Sequence, residues 1–200
     1  MSSRVLPAGP GKVKPKDIAE VPPPAYVRRV QGLKISDAHQ LNAACGWLEL
    51  GNLAEVRAEL AGMSPESRTH PAVLRLQFAL AAAEQNWDAA FAFAEQLLCA
   101  LPGEPAGWLH CAYALRRKRG GGLEQARDFL APAAQKFPRE ATIAFNLACY
   151  ECQLRDLPAA RRWLQRACEI GGQQQIHAQA LADADLQPLW AEIQPPAADA

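Results

Sequence analysis

An all-α fold, four helix pairs stacked in series and closed by a C-terminal capping helix, is predicted by three features of the sequence. Alanine dominates the middle of the chain and strand formers are scarce, which favours helix. One short string recurs four times: Gly51-Asn52-Leu53-Ala54-Glu55-Val56, Gln85-Asn86-Trp87-Asp88-Ala89-Ala90, Gly122-Leu123-Glu124-Gln125-Ala126 and Arg155-Asp156-Leu157-Pro158-Ala159-Ala160. Its large apolar residues, Leu53, Trp87, Leu123 and Leu157, are 34, 36 and 34 positions apart, and each is followed three places on by a small or β-branched residue. A fixed period of this length is the mark of a repeat array, in which one helix pair cannot bury its apolar face alone and stacking supplies the core.

The elements follow in order. Units run over 37–70, 71–104, 105–140 and 141–174, the third carrying two extra residues at Arg119-Gly120-Gly121-Gly122, read as a loosened turn. Asn52, Asn86 and Asp156 stand at equivalent places as N-caps, because a short side-chain oxygen accepts from an orphan N–H of the first turn. Asn52 and Glu55 have the capping-box spacing. Pro71, Pro102, Pro105 and Pro138 mark unit boundaries, where proline suits a helix end or first turn. Second helices carry apolar or small residues at helical spacing, as in Val56, Leu60 and Met63, or Ala160, Leu164 and Ala167. Residues 175–194 read as capping helices, the second begun at Asp185 with Pro188 in its first turn, and Leu181, Leu186, Leu189, Trp190 and Ile193 covering the end of the stack. Residues 195–200 are a tail.

Residues 1–36 differ from the rest. They hold six prolines and seven basic side chains against Asp17 and Glu20, a net +5, whereas the remaining 14 basic and 19 acidic residues leave −5. A Pro-rich basic arm, disordered or extended, on a mildly acidic body is expected. Pro22-Pro23-Pro24 favours polyproline II. Pro23-Pro24-Ala25-Tyr26 matches a short WW-domain ligand pattern, and Tyr26, Val27, Val30 and Leu33 offer an alternative role, packing on the first helix pair. The basic residues are dispersed with no aromatic interleaving beyond Tyr26, so nucleic acid is not the expected partner. No apolar run approaches a membrane span or a secretory signal, which leaves the cytoplasm as the expected compartment.

The 34-residue helix–turn–helix unit resembles the tetratricopeptide repeat family over residues 37–174. The fourth unit carries the resemblance best, with Ala144-Phe145-Asn146-Leu147-Ala148-Cys149-Tyr150 followed by Asp156-Leu157-Pro158-Ala159-Ala160 and Trp163-Leu164. Gln40, Gln77 and Glu151 depart from it, Glu151 standing where an aromatic is usual. The resemblance implies a right-handed α-solenoid whose first helices line a concave groove. Carried over unit by unit, the groove positions are Leu41, Asn42 and Cys45; Arg75; Leu109, Tyr113 and Arg116; Phe145, Asn146 and Cys149. That lining is mostly apolar, so the implied ligand is an apolar peptide or helix of another protein, or of a second copy, with one acidic group near Arg75 or Arg116.

Chemistry-bearing motifs are few. Cys149-x-x-Cys152 puts two thiols on one helical face, a spacing used in redox exchange or half of a zinc site, but no second pair completes four ligands. Small apolar packing is the competing reading of all six cysteines. The four histidines fall in different units, with no triad spacing, and Gly120-Gly121-Gly122 lacks the Lys-Ser/Thr of a phosphate loop. Arg116-Arg117-Lys118-Arg119 reads as positive charge complementing a helix C-terminus, with anion or partner binding as the alternative. The expectation is a non-enzymatic interaction scaffold, an adaptor, assembly factor or small chaperone, without cofactor or metal. A redox- or metal-responsive protein using Cys149 and Cys152 is the alternative.

Overall fold

The computed structural model of the chain describes residues 32–193, all of its regular elements there being helical. The basic arm over residues 1–31, with its polyproline run and the packing expected of Tyr26, Val27 and Val30, and the tail at 195–200 lie outside the described residues. Ten α-helices follow one another: α1 (Ile35–Glu49), α2 (Leu53–Gly62), α3 (Pro71–Ala83), α4 (Trp87–Ala100), α5 (Pro105–Leu115), α6 (Leu123–Lys136), α7 (Ala141–Gln153), α8 (Leu157–Gly171), α9 (Gln173–Ala182) and α10 (Trp190–Ile193). Two 3-10 helices, Pro65–Thr69 and Ala184–Leu189, precede α3 and α10. The chain divides into two compact units, one ending at Gln85 and the other beginning at Asn86. That boundary falls between α3 and α4, within the second 34-residue period of the sequence.

The turns explain why the helices start where they do. Asn52, Asn86 and Asp156 each accept, through the side-chain oxygen, the N–H three residues on, at 3.4, 3.2 and 2.9 Å. Such a cap contributes about 1 kcal/mol. Before each cap stands one residue in the left-handed region: Gly51 (φ 73°), Gln85 (φ 58°) and Arg155 (φ 67°). Their N–H groups close the preceding helix onto the carbonyls of Leu48, Ala82 and Cys152.

The third such junction differs. The sequence suggests a loosened glycine turn, but it is tightly closed: the amide of Gly121 donates to the Lys118 carbonyl and that of Gly122 to the Leu115 carbonyl, both at 3.1 Å. A Cβ on Gly121 would run into the Leu115 carbonyl, so a glycine is required there for close approach. Gly122 has no side chain to cap α6.

In the first unit, α1, α2 and α3 enclose a core of Leu41, Ala44, Val56, Met63, Val73 and Leu76, with Leu33 packed against it. A polar staple accompanies it. Asp37, in the first turn of α1, is buried, and its carboxylate accepts from the hydroxyls of Ser64 and Ser67, each at 2.5 Å, and from the Ser64 amide at 3.4 Å. The Ser64 hydroxyl, then that of Ser67, hold the Asp37 carboxyl below its usual range, against the opposing effect of burial.

The second unit has the larger core. Leu130 from α6, Ile143 and Leu147 from α7, Leu164 from α8, and Ile176, Leu186 and Leu189 from the terminal elements form one apolar cluster. Glu151 of α7 is buried beside it, 3.9 Å from the Arg127 guanidinium of α6; burial raises its carboxyl pKa despite that charge. The cap closes through Trp190 Nε1, which donates to the Ala180 carbonyl at 2.8 Å, and through Arg161, which holds the Glu192 carboxylate with two bonds of 2.7 and 2.6 Å. The short helix expected from Asp185 is a 3-10 helix over Ala184–Leu189. Asp183 accepts the Asp185 amide at 2.9 Å and starts a 3-10 turn that contains Pro188, and α10 begins only at Trp190.

Candidate interaction surface

Each unit places its own share of the sequence-derived groove positions. In the first, Leu41 is buried within the core, while Asn42, Cys45 and Arg75 are half-buried. Cys45 packs against the core, and burial pushes its thiol up to about 11. Leu41 is therefore a core residue; it is not open to a ligand.

In the second unit, Leu109 and Phe145 are half-buried and lean on the core. Asn146 is half-buried too, and its Nδ2 donates back to the Thr142 carbonyl at 2.8 Å, so part of its amide is used within α7. Tyr113 meets Trp87, the first residue of α4, edge to face with ring centres 5.8 Å apart.

Arg116 and Cys149 are drawn into one polar cluster under the C-terminal cap. Arg116 holds the Asp185 carboxylate with both terminal nitrogens, Nη2 to Oδ1 at 3.0 Å, and its guanidinium carbon lies 5.7 Å from the centre of the Tyr150 ring. Burial opposes the Arg116 charge, but the hydrogen bond and charge of Asp185 outweigh it and hold the guanidinium protonated above its usual range. Cys149 is buried, with its Sγ 3.6 Å from Asp183 Oδ2. Gln153 Nε2 donates to the Asp185 carbonyl at 2.9 Å, tying the end of α7 to the same turn. The acidic group expected of a ligand at Arg116 is thus supplied by the chain itself, and this guanidinium is already occupied. Sequence reasoning missed Asp183 and Asp185 in this role. Their only local signal was an acidic pair ahead of a closing helix, which reads as capping.

The thiols lie on the packing side of the ledger. Burial, with the charges of Asp183 and Asp185 behind it, raises Cys149 well above the usual thiol value; Cys152 is raised by the same causes. Thiolate, the reactive and metal-binding form, is disfavoured at both. Among the described residues no group of three His, Cys, Asp or Glu side chains is placed to hold a metal, and no helix is long and apolar enough to cross a membrane.

What remains is a basic and aromatic ledge at the end of α5. Arg117 lies 3.7 Å from the Tyr113 ring centre and 5.3 Å from that of Trp87, and Lys118 Nζ lies 4.5 Å from that of Phe91. The arrangement can present fixed positive charge. No family model, no curated protein and no solved structure matches the chain.

Proposed function

We propose that the chain is a non-enzymatic protein–protein interaction module of tetratricopeptide-like helix pairs that holds a peptide or helix of another protein on its first helices, α1 and α3 in the first unit or α5 and α7 in the second. One observation carries the reading. The backbone before α2, α4 and α8 adopts the same turn three times, with cap angles of φ −87°, ψ 76° at Asn52, φ −86°, ψ 76° at Asn86 and φ −86°, ψ 73° at Asp156. Asn86 stands 34 residues after Asn52, and Asp156 a further 70, the spacing of one repeat and then of two. Repetition of one helix–turn–helix unit builds binding surface from identical parts, and such scaffolds serve recognition.

The working positions within this reading are those left half-buried: Asn42, Cys45 and Arg75 in the first unit, and Leu109, Tyr113, Phe145 and Asn146 in the second. The test is affinity capture from the native cell extract with the wild-type chain, with Arg75→Glu, and with Asn146→Lys, each variant checked for helical content and melting. A partner retained by the wild type and lost in either folded variant supports the groove. Capture unchanged in both would place the working surface elsewhere and overturn the reading.

A further inference from the structure

Two guanidiniums follow one another at the end of α5, and among the described residues only one of them is ion-paired. Arg116 and Arg117 are both half-buried. Arg116 holds Asp185 through two nitrogens. Arg117, by contrast, has no carboxylate at ion-pair distance among the described residues; its hydrogen bond goes from Nη1 to the Tyr113 carbonyl at 3.0 Å. A guanidinium has five N–H donors in a planar fork shaped for a carboxylate, so most of this one's capacity is unspent. The rings of Tyr113 and Trp87 fix its position and stabilise its charge through their faces, but they cannot accept its N–H bonds in the plane of the fork. Lys118, over Phe91, and Arg119, exposed, add two more cations with no carboxylate partner among the described residues.

Burial lowers the pKa of Arg117 and outweighs the nearby charge of Asp185, the reverse of the balance at Arg116, where Asp185 is hydrogen-bonded directly. A pre-positioned fork with open donors and two neighbouring cations is what a carboxylate-rich ligand needs, since the ordering of the receptor side chains precedes binding.

We propose that Arg117, Lys118 and Arg119 form a docking ledge for an acidic polypeptide segment of a partner, whose carboxylate gives Arg117 what Asp185 gives Arg116. The inference rests on the interaction-module reading and names the partner's chemistry at one part of it. A polypeptide is favoured over nucleic acid on two counts. The cations are three consecutive residues at one helix end, a point of charge and not a track for a phosphate backbone. The aromatic faces that bases would stack on are already covered by Arg117 and Lys118.

The experiment is calorimetric titration of the full chain, at low salt, with an octaglutamate peptide, with octaglutamine, and with an oligothymidylate of eight nucleotides. Octaglutamate is expected to bind and octaglutamine not, with affinity falling as salt rises. Arg117→Met, which keeps the apolar stem over Tyr113, is expected to weaken octaglutamate by about tenfold or more while melting no lower than the wild type. Lys118→Gln with Arg119→Gln, at a half-buried and an exposed site, is expected to weaken it several-fold. Equal binding of octaglutamate and octaglutamine, undiminished binding in both variants, or tighter binding of oligothymidylate would each overturn the proposal. So would a large drop in melting temperature for Arg117→Met, because it would make Arg117 a structural post. The titration uses a defined peptide, so it fails separately from the capture experiment: capture lost in Asn146→Lys with no octaglutamate binding keeps the module and removes the ledge.

Discussion

Each unit draws an acidic side chain into its packing, Asp37 buried and Asp185 a quarter exposed, but the two are neutralised in opposite ways. In the first, Asp37 is surrounded by hydroxyls and an amide of residues 27 and 30 positions away, donors that carry no charge of their own. In the second, Asp185 meets the guanidinium of Arg116, 69 positions away, in a charge-assisted pair. Hydroxyl donors stabilise the ionised carboxylate and leave two small neutral groups if the acid is removed. A guanidinium left without its acid is a desolvated cation. The difference teaches that removing one partner has a graded cost: it is larger where the surviving partner is charged.

The largest effect is therefore expected at the ion pair. Asp185→Ala would leave Arg116 half-buried without an anion, and about 2 kcal/mol of stability should be lost; the pair is a fifth to a quarter exposed, which reduces the penalty of a fully buried one. Thermal denaturation of Asp185→Ala, Arg116→Met and the double variant reads this directly. The double variant should recover part of the loss, since it removes the orphaned charge. A double variant no better than Asp185→Ala would mean that the unpaired Arg116 charge costs little and that the loss lies in the other contacts of Asp185.

Legibility in the sequence follows the range of the interaction. The caps Asn52, Asn86 and Asp156 act on N–H groups three residues away, and spacing alone located them. Asp37 with Ser64 and Asp185 with Arg116 join residues that are remote in the chain, and no local pattern marks such a partner. Leu41 is buried whereas its equivalents in the repeat, Arg75, Leu109 and Phe145, are half-buried, a difference that no local pattern marks. Glu151, which departs from the aromatic usual in the family resemblance, gained its partner Arg127 from the facing helix α6, again beyond any local rule.

A smaller effect, confined to acid, is expected from Asp37. Its folded pKa lies below the unfolded carboxylate value of about 3.9, so its contribution is fully present above that value and is lost as pH falls through the lower folded one. Hydrogen exchange of segments spanning 35–69 should show protection declining as the solution is acidified below pH ~4. Asp37→Asn, which keeps an acceptor and removes the titration, should flatten that dependence. If the wild type and Asp37→Asn lose protection in parallel, other carboxylates govern acid unfolding of the first unit.

The smallest effect should be a gain, and it tests the turns as equivalents. The turn before α2 places glycine in its left-handed position, Gly51, whereas Arg155 takes the same place before α8 at φ 67°. A side chain there costs about 1 kcal/mol, while glycine gives back part of that through its freer unfolded state. Arg155→Gly should then raise stability by up to about 1 kcal/mol, roughly 2–4 °C in melting temperature for a chain of this size. Gly51→Ala should lower it by a similar amount, because it imposes on the first unit the strain that the second now carries. Opposite signs at the two positions would mean that one backbone geometry, and not the residue that occupies it, sets the energy of the turn. A loss in both would give Arg155 a side-chain role that glycine cannot fill, and the repeated turn would be equivalent in shape but not in energy.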